Sequence, residues 1–202
     1  RRVMTAHGRG QVIHPNLLHA DVPRGEFHIK TGGVLGAGGP GGEWVFGLKA
    51  NGGFFNNHSL GLPNIVGVIT LADAKTGAPL AVLDSVEISR VRTGAATAVA
   101  AEHLARPDSA VVTVLGAGTQ ARTQVECLAA VLPLRQVRIV ARNQERAAEC
   151  AQAIREACGL SVELASDAAA AIASSDVVVT CTSATEPLFS ADAVRPGTFI
   201  AA

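Results

Sequence analysis

The sequence lacks an excess of charge of either sign. Its 17 Lys and Arg balance 17 Asp and Glu, so the formal net charge is zero and the isoelectric point is about 7.2. Nucleic acids and anionic membrane surfaces are gripped through clustered Lys and Arg, so neither is expected as a partner. No apolar run approaches the ~18 residues that a bilayer span needs, and no signal-peptide pattern is present. Cysteine is scarce: Cys127, Cys150, Cys158 and Cys181. None forms C-x-x-C or sits at zinc-ligand spacing from a histidine, so they read as reduced thiols on apolar faces. The six histidines (His7, His14, His19, His28, His58 and His103) form no H-x-x-x-H pair, so no metal site is expected. What is abundant is hydrophobic sequence, 48% of 202 residues, well outside the range of disordered chains. That length supports one or two domains with an ample core.

Composition changes near residue 90. The earlier part is rich in Gly and Asn, with strand-like pieces at 44–48, 65–71 and 79–83 and a turn at Asp73-Ala74-Lys75-Thr76-Gly77. Hairpins and a mixed or antiparallel sheet are expected there. The glycine-rich stretch Gly36–Gly42 is read as a hairpin connection, because no helix follows it to make a phosphate loop. From Asp84 or Ser85, either able to cap, a helix runs to Ala105, where Arg106-Pro107 stops it. Apolar strands at 110–115, 137–141, 161–164, 177–180 and 199–201 then alternate with helices at 120–131, 145–157 and 168–173. This is the pattern of βαβ units and a parallel sheet. The chain opens on Arg1 and closes on a strand-like Thr198-Phe199-Ile200-Ala201-Ala202 with no terminator, which reads as a fragment of a longer cytoplasmic chain.

The strongest local signal is Leu115-Gly116-Ala117-Gly118-Thr119-Gln120-Ala121, a G-x-G-x-x-A directly after an apolar strand and before a helix. Gly116 allows the tight turn, Gly118 lets backbone approach a pyrophosphate, and Ala121 keeps helix close to strand. The helix N-terminus offers amide donors and a positive dipole end to the phosphates. At the tip of the second strand, an NAD site usually carries an acid for the ribose 2′-hydroxyl. Here Ala141-Arg142-Asn143-Gln144-Glu145-Arg146 has none. Arg142, assisted by Asn143 and Arg146, suits a 2′-phosphate, so NADP(H) is favoured over NAD(H).

Arg92-Thr93-Gly94-Ala95-Ala96-Thr97, followed by the glycine turn, resembles the R-T-x-A-A segment of the ornithine cyclodeaminase/mu-crystallin family. Gly47-Leu48-Lys49, Leu71-Ala72-Asp73 with Thr76-Gly77, Leu83-Asp84 and Asp176–Thr182 are similar in the same order, and the resemblance covers essentially the whole chain. It implies an α/β protein in which a Rossmann-type parallel sheet domain (93–202) is preceded by a mixed α+β substrate and dimerisation domain (1–92). Both are expected to be incomplete at the chain ends. Members interconvert amino acids and imines by hydride transfer to and from a nicotinamide, and a homodimer is implied. The substrate carboxylate falls to an arginine, Arg1 or Arg2, and to Lys49, the catalytic candidate; Lys30 is a second cation for the same pocket. Arg92, Thr119 and Gln120 are implied at the cofactor phosphates, Thr182 near the nicotinamide ribose, and Asn64 where relatives carry Thr or Ser beside the cofactor. Mu-crystallin, similar at the Arg142 segment, uses NADP(H). The family's catalytic aspartate would follow residue 202.

Chemically, hydride leaves the Cα of an amino acid only if the carboxylate is held still, which a bidentate arginine does, and a lysine beside it can pass a proton. The expected activity is an NADP(H)-dependent ketimine reductase of the Δ1-pyrroline-2-carboxylate type acting on a small amino or cyclic imino acid. The alternatives are an ornithine cyclodeaminase, and a non-catalytic protein that sequesters NADP(H).

Overall fold

The computed structural model describes residues 1–34, 44–182 and 184–202, and the expected Gly36–Gly42 connection lies outside the described residues. The chain divides into two units, Arg1–Ser89 and Arg90–Ala202, with the division falling inside one helix. No helix among the described residues is long and apolar enough to cross a membrane.

The first unit holds α1 (Arg2–Gly8) and five strands: β1 (Val12–Val22), β2 (Gly25–Val34), β3 (Val45–Gly53), β4 (Ile65–Asp73) and β5 (Pro79–Asp84). They form an antiparallel meander in chain order, so the expected mixed or antiparallel sheet resolves as antiparallel. The strand expected at 44–48 runs on to Gly53, while α1, β1 and β2 were not anticipated. β1 hides from a pattern reading because it is an edge strand: most of its residues are exposed, and Pro15 interrupts it. An edge tolerates a missing N–H, and the register shift between Ile13 and Asn16 absorbs the proline. Between β4 and β5, Asp73 Oδ1 accepts the amides of Lys75 and Thr76 at 2.7 and 2.8 Å. The Thr76 amide first, then that of Lys75, holds its carboxyl below the ordinary range.

The second unit contains β6 (Val111–Leu115), β7 (Gln136–Val140), β8 (Ser161–Leu164), β9 (Val177–Thr180) and β10 (Phe199–Ala201). All pair in parallel, in the order β10-β9-β6-β7-β8. Numbered within the unit and read from the β8 edge, that is 3-2-1-4-5, the doubly wound order whose direction reverses between its first and fourth strands. Helices α3 (Thr119–Ala129), α4 (Gln144–Cys158) and α5 (Ala168–Ala173) connect the strands, and α2 (Val86–Leu104) leads into them. Val112, Val114, Val137, Ile139 and Val177 on the sheet pack with Val125, Leu128 and Ile154 on the helices, all fully or nearly fully buried. Strands covered on both faces read as unbroken apolar runs, and each such side chain contributes roughly 1.5–3 kcal/mol on burial.

One carboxylate ties together the rim of this sheet where its strands begin. Asp176 accepts the amides of Ala110 and Val111, both at 2.9 Å, and ion-pairs with Arg106 and Arg195. Burial pushes its carboxyl up, but the two amides and two guanidiniums outweigh that and hold it below the usual 3.8. All four cysteines are free. Burial raises every one of their thiols, Cys181 up to about 11.

Candidate functional site

Gly116 follows β6 with a φ of +113°, a region open to glycine. A Cβ there would lie 2.5 Å from the Cys181 carbonyl oxygen and 3.3 Å from Thr182 Cγ2. The glycine turn and Thr182 therefore meet at the ends of β6 and β9, the point where the strand order reverses. Gly118 caps α3 in an extended conformation without a side-chain cap, and a Cβ on it would meet nothing within 4 Å. Ala121 is fully buried, as close helix–strand packing requires. A cavity of about 400 Å³ opens over this turn, lined by Gly118, Thr119, Arg90, Arg122, Arg146 and Glu149 among others.

Arg90 is the residue that sequence reasoning missed. Its Nη1 donates to Thr123 Oγ1 and lies 3.9 Å from Glu126 Oε2, while its carbonyl accepts from Gln120 Nε2 at 3.4 Å. Gly94 permits this fit, because a Cβ there would come within 2.9 Å of the Thr123 carbonyl and Cys127 Sγ on α3. The signal was available: Arg90 precedes the buried Gly94, Ala98 and Ala101 at helical spacing, and so shares their face. Arg92, two residues on, is exposed and does not line the cavity.

At the tip of β7, Arg142 is exposed and no acid accompanies it. Asn143 is the N-cap of α4, its Oδ1 accepting the Arg146 amide at 2.8 Å, and this cap sets Arg146 at the cavity. Four side-chain polar atoms are buried without a partner among the described residues: Gln120 Oε1 and Asn64 Oδ1, both of residues expected at the cofactor, and Ser109 Oγ and Gln124 Oε1. The residues thus fit a dinucleotide: a glycine turn that a side chain would fill, a helix N-terminus without a side-chain cap, and arginines around a cavity.

In the first unit, Lys30 on β2 and Lys49 on β3 are direct cross-strand partners, with Lys49 the less exposed. Lys49 Nζ donates to Ser89 Oγ at 3.3 Å. Asn51 Nδ2 reaches the same oxygen at 3.3 Å, and its Oδ1 accepts from the buried Ser85 at 2.7 Å. This network fixes the face on which Lys49 lies. Arg1 and Arg2 stand at the exposed start of α1.

A parallel 3-2-1-4-5 sheet with a glycine turn at its reversal point defines the second unit as a Rossmann-type dinucleotide-binding fold. The chain belongs to the ornithine cyclodeaminase/mu-crystallin family, whose model matches residues 21–202. One relative, from Rhizobium meliloti (strain 1021) and named "Putative dehydrogenase RB0419", is 41% identical over 194 residues, which are 95% of this chain and 57% of the relative. Among solved structures, Thermococcus litoralis Δ1-pyrroline-2-carboxylate reductase in complex with NADH and L-proline superposes with a TM-score of 0.89 at 28% identity, covering 98% of this chain and 60% of that one. An archaeal alanine dehydrogenase dimer with bound NAD gives 0.88 at 29%, covering 98% and 59%. The chain therefore spans somewhat under two thirds of these relatives.

Proposed function

We propose that the protein carrying this chain is an NADP(H)-dependent oxidoreductase acting at the Cα of a small amino acid or cyclic imino acid, a ketimine reductase of the Δ1-pyrroline-2-carboxylate type. One observation carries the reading: the glycine turn at the β6–β9 reversal opens on a cavity bearing Arg90 and Arg146, beside a strand tip with Arg142 and no acid. Residues 93–202 supply most of the cofactor site, joined by Asn64, Arg90 and Arg92, and the rest of residues 1–92 supply the substrate site. Gly116, Gly118, Thr119, Gln120 and Arg90, with Arg92, serve the pyrophosphate. Arg142 and Arg146 take the 2′-phosphate, Asn143 sets Arg146, and Asn64 and Thr182 serve the ribose and nicotinamide side. The nicotinamide supplies two-electron hydride chemistry when bound. Lys49 and Lys30, with Arg1 or Arg2, hold the substrate carboxylate, and Lys49 passes the proton that accompanies reduction of the imine nitrogen.

The homodimer is proposed on a row of exposed apolar side chains. Leu18, Phe27, Val68 and Val82 share one face of the antiparallel sheet, opposite the face of Lys30 and Lys49. The solved alanine dehydrogenase of this fold is itself a dimer. A nicotinamide-dependent reaction on a metabolite and four free thiols suit the cytoplasm.

Titration of the chain with NADPH and with NADH, followed by cofactor fluorescence, tests the reading. Tight NADPH and weak NADH binding supports it. Equal or NADH-favoured binding overturns the cofactor assignment and moves the reading to a cyclodeaminase, whose cofactor is not consumed; the assay is then ammonia release from ornithine. Binding of NADPH by a full-length protein without imine reduction would point to a sequestering role.

A further inference from the structure

The antiparallel sheet carries a cluster that neither the cofactor nor the carboxylate reading uses. His19 on β1 and His28 on β2 are direct cross-strand partners, and so are their neighbours Asp21 and Glu26. Alternate residues of a strand share a face, so all four side chains stand in one two-by-two patch on the open edge of the sheet. The two imidazoles stack with centroids 4.5 Å apart. Glu26 lies between them, with Oε2 3.1 Å from His19 Nε2 and Oε1 3.1 Å from His28 Nε2, and Asp21 Oδ1 is 3.2 Å from His19 Nε2. The ligating atoms of His19, Glu26 and His28 all lie within 4.8 Å of one another.

We infer that His19, Glu26 and His28 form a binding site for a divalent first-row transition ion of the zinc type, with Asp21 as an adjoining carboxylate. Two imidazoles and a carboxylate are the donor set that such ions prefer over Ca²⁺ or Mg²⁺, which take oxygen ligands. Tetrahedral coordination with bonds near 2.1 Å places ligand atoms about 3.4 Å apart, close to the 3.1 Å already present between each imidazole nitrogen and Glu26. Closing the remaining separation takes a change of side-chain rotamer, with no movement of strands, because β1 and β2 are already in register. Each Nε2 gives its lone pair to the ion and carries its proton on Nδ1 instead. Lys30 lies two residues from His28 on the same face and opposes a cation there, and the charges of Glu26 and Asp21 offset it. The ion would fasten the edge strand β1 to β2. The sequence conceals the site because its histidines are nine positions apart in the chain and adjacent only across the hairpin.

The test is calorimetric titration of the full chain, stripped with chelator and returned to chelator-free buffer, with zinc chloride. One ion per chain with a Kd at or below about 10 µM is expected, weakening at least ten-fold in His19→Gln, in His28→Gln and in Glu26→Gln. His14→Gln, on the same strand and outside the patch, should bind as the parent does. Circular dichroism of each variant confirms that it is folded, and zinc should raise the melting temperature of the parent and leave that of the His19→Gln/His28→Gln double variant unchanged. Weaker parental binding, or binding that survives the double variant, overturns the inference.

Discussion

Lys30 and Lys49 face each other directly across β2 and β3, two cations on one sheet face in a non-adjacent stretch of sequence. Like charges in such cross-strand pairs are destabilising, so the arrangement makes physical sense where an anion is to be received. Ser89 anchors Lys49 from the start of α2, which leaves Lys30, the more exposed of the two, as the adjustable partner.

Replacing Lys49 by Met should therefore weaken binding of a planar cyclic carboxylate such as pyrrole-2-carboxylate by roughly 10–100-fold, the loss of one charged hydrogen bond. Lys30→Met should weaken it less and raise the melting temperature of the ligand-free protein slightly. Calorimetry and thermal melts give both numbers, and unchanged carboxylate binding in Lys49→Met would refute the substrate assignment.

Arg90 and Arg92 separate the geometry from the family resemblance. Arg90→Ala should weaken NADPH binding by about ten-fold or more, since a guanidinium at a phosphate makes charge-assisted hydrogen bonds. If Arg92→Ala causes the larger loss, the resemblance is the better guide to the phosphate ligand.

Arg142→Asp should reverse the cofactor preference, weakening NADPH by at least ten-fold while sparing or improving NADH, because an acid at the strand tip suits a free 2′-hydroxyl. Arg146→Ala should weaken NADPH alone. Parallel fluorescence titrations decide the matter, and a uniform effect on both cofactors would argue against a 2′-phosphate site.

Gly116→Ala should abolish cofactor binding and lower stability by about 2 kcal/mol or more, from the positive φ and the close Cys181 carbonyl together. Gly118→Ala, with open space around it, should fold normally and lose only affinity. Urea unfolding beside a binding titration distinguishes the two.

Asp176 sets an acid limit on stability. Its folded carboxyl titrates below the ordinary 3.8, so its contribution is complete above that value and is lost as pH falls through the lowered one. Asp176→Asn should cost roughly 2 kcal/mol at pH 7, and the deficit should shrink toward pH 3. Melts across pH 3–7 check the sign; a deficit that grows on acidification would contradict it.

The parallel unit was legible because its strands are buried on both faces and stand out as apolar runs; the helix expected at 120–131 is Thr119–Ala129, and the strand at 177–180 is β9. The glycine turn was legible for a related reason, since its spacing has a mechanical cause. The first unit was harder. β1 is largely exposed, and β2 is mostly half-buried and carries three glycines, so neither strand alternates clearly between an apolar and a polar face. Register is likewise invisible in one dimension, which is why the Lys30–Lys49 pairing and the His19–His28 stack emerge only when β2 is laid between its neighbours. Motif likeness points to Arg92 alone, whereas the turn of α2 lays Arg90 against α3.

The carboxylate that gathers Arg106, Arg195 and two backbone amides sits where β9 begins, and the glycine turn sits where β6 ends, about 16 Å away along strands of this length. Scaffold and chemistry thus occupy opposite rims of one sheet. For protein engineering, the proposed 2′-phosphate site at the tip of β7 stands apart from that fastening, so it can be rewritten through many generations of variants with the far rim left untouched.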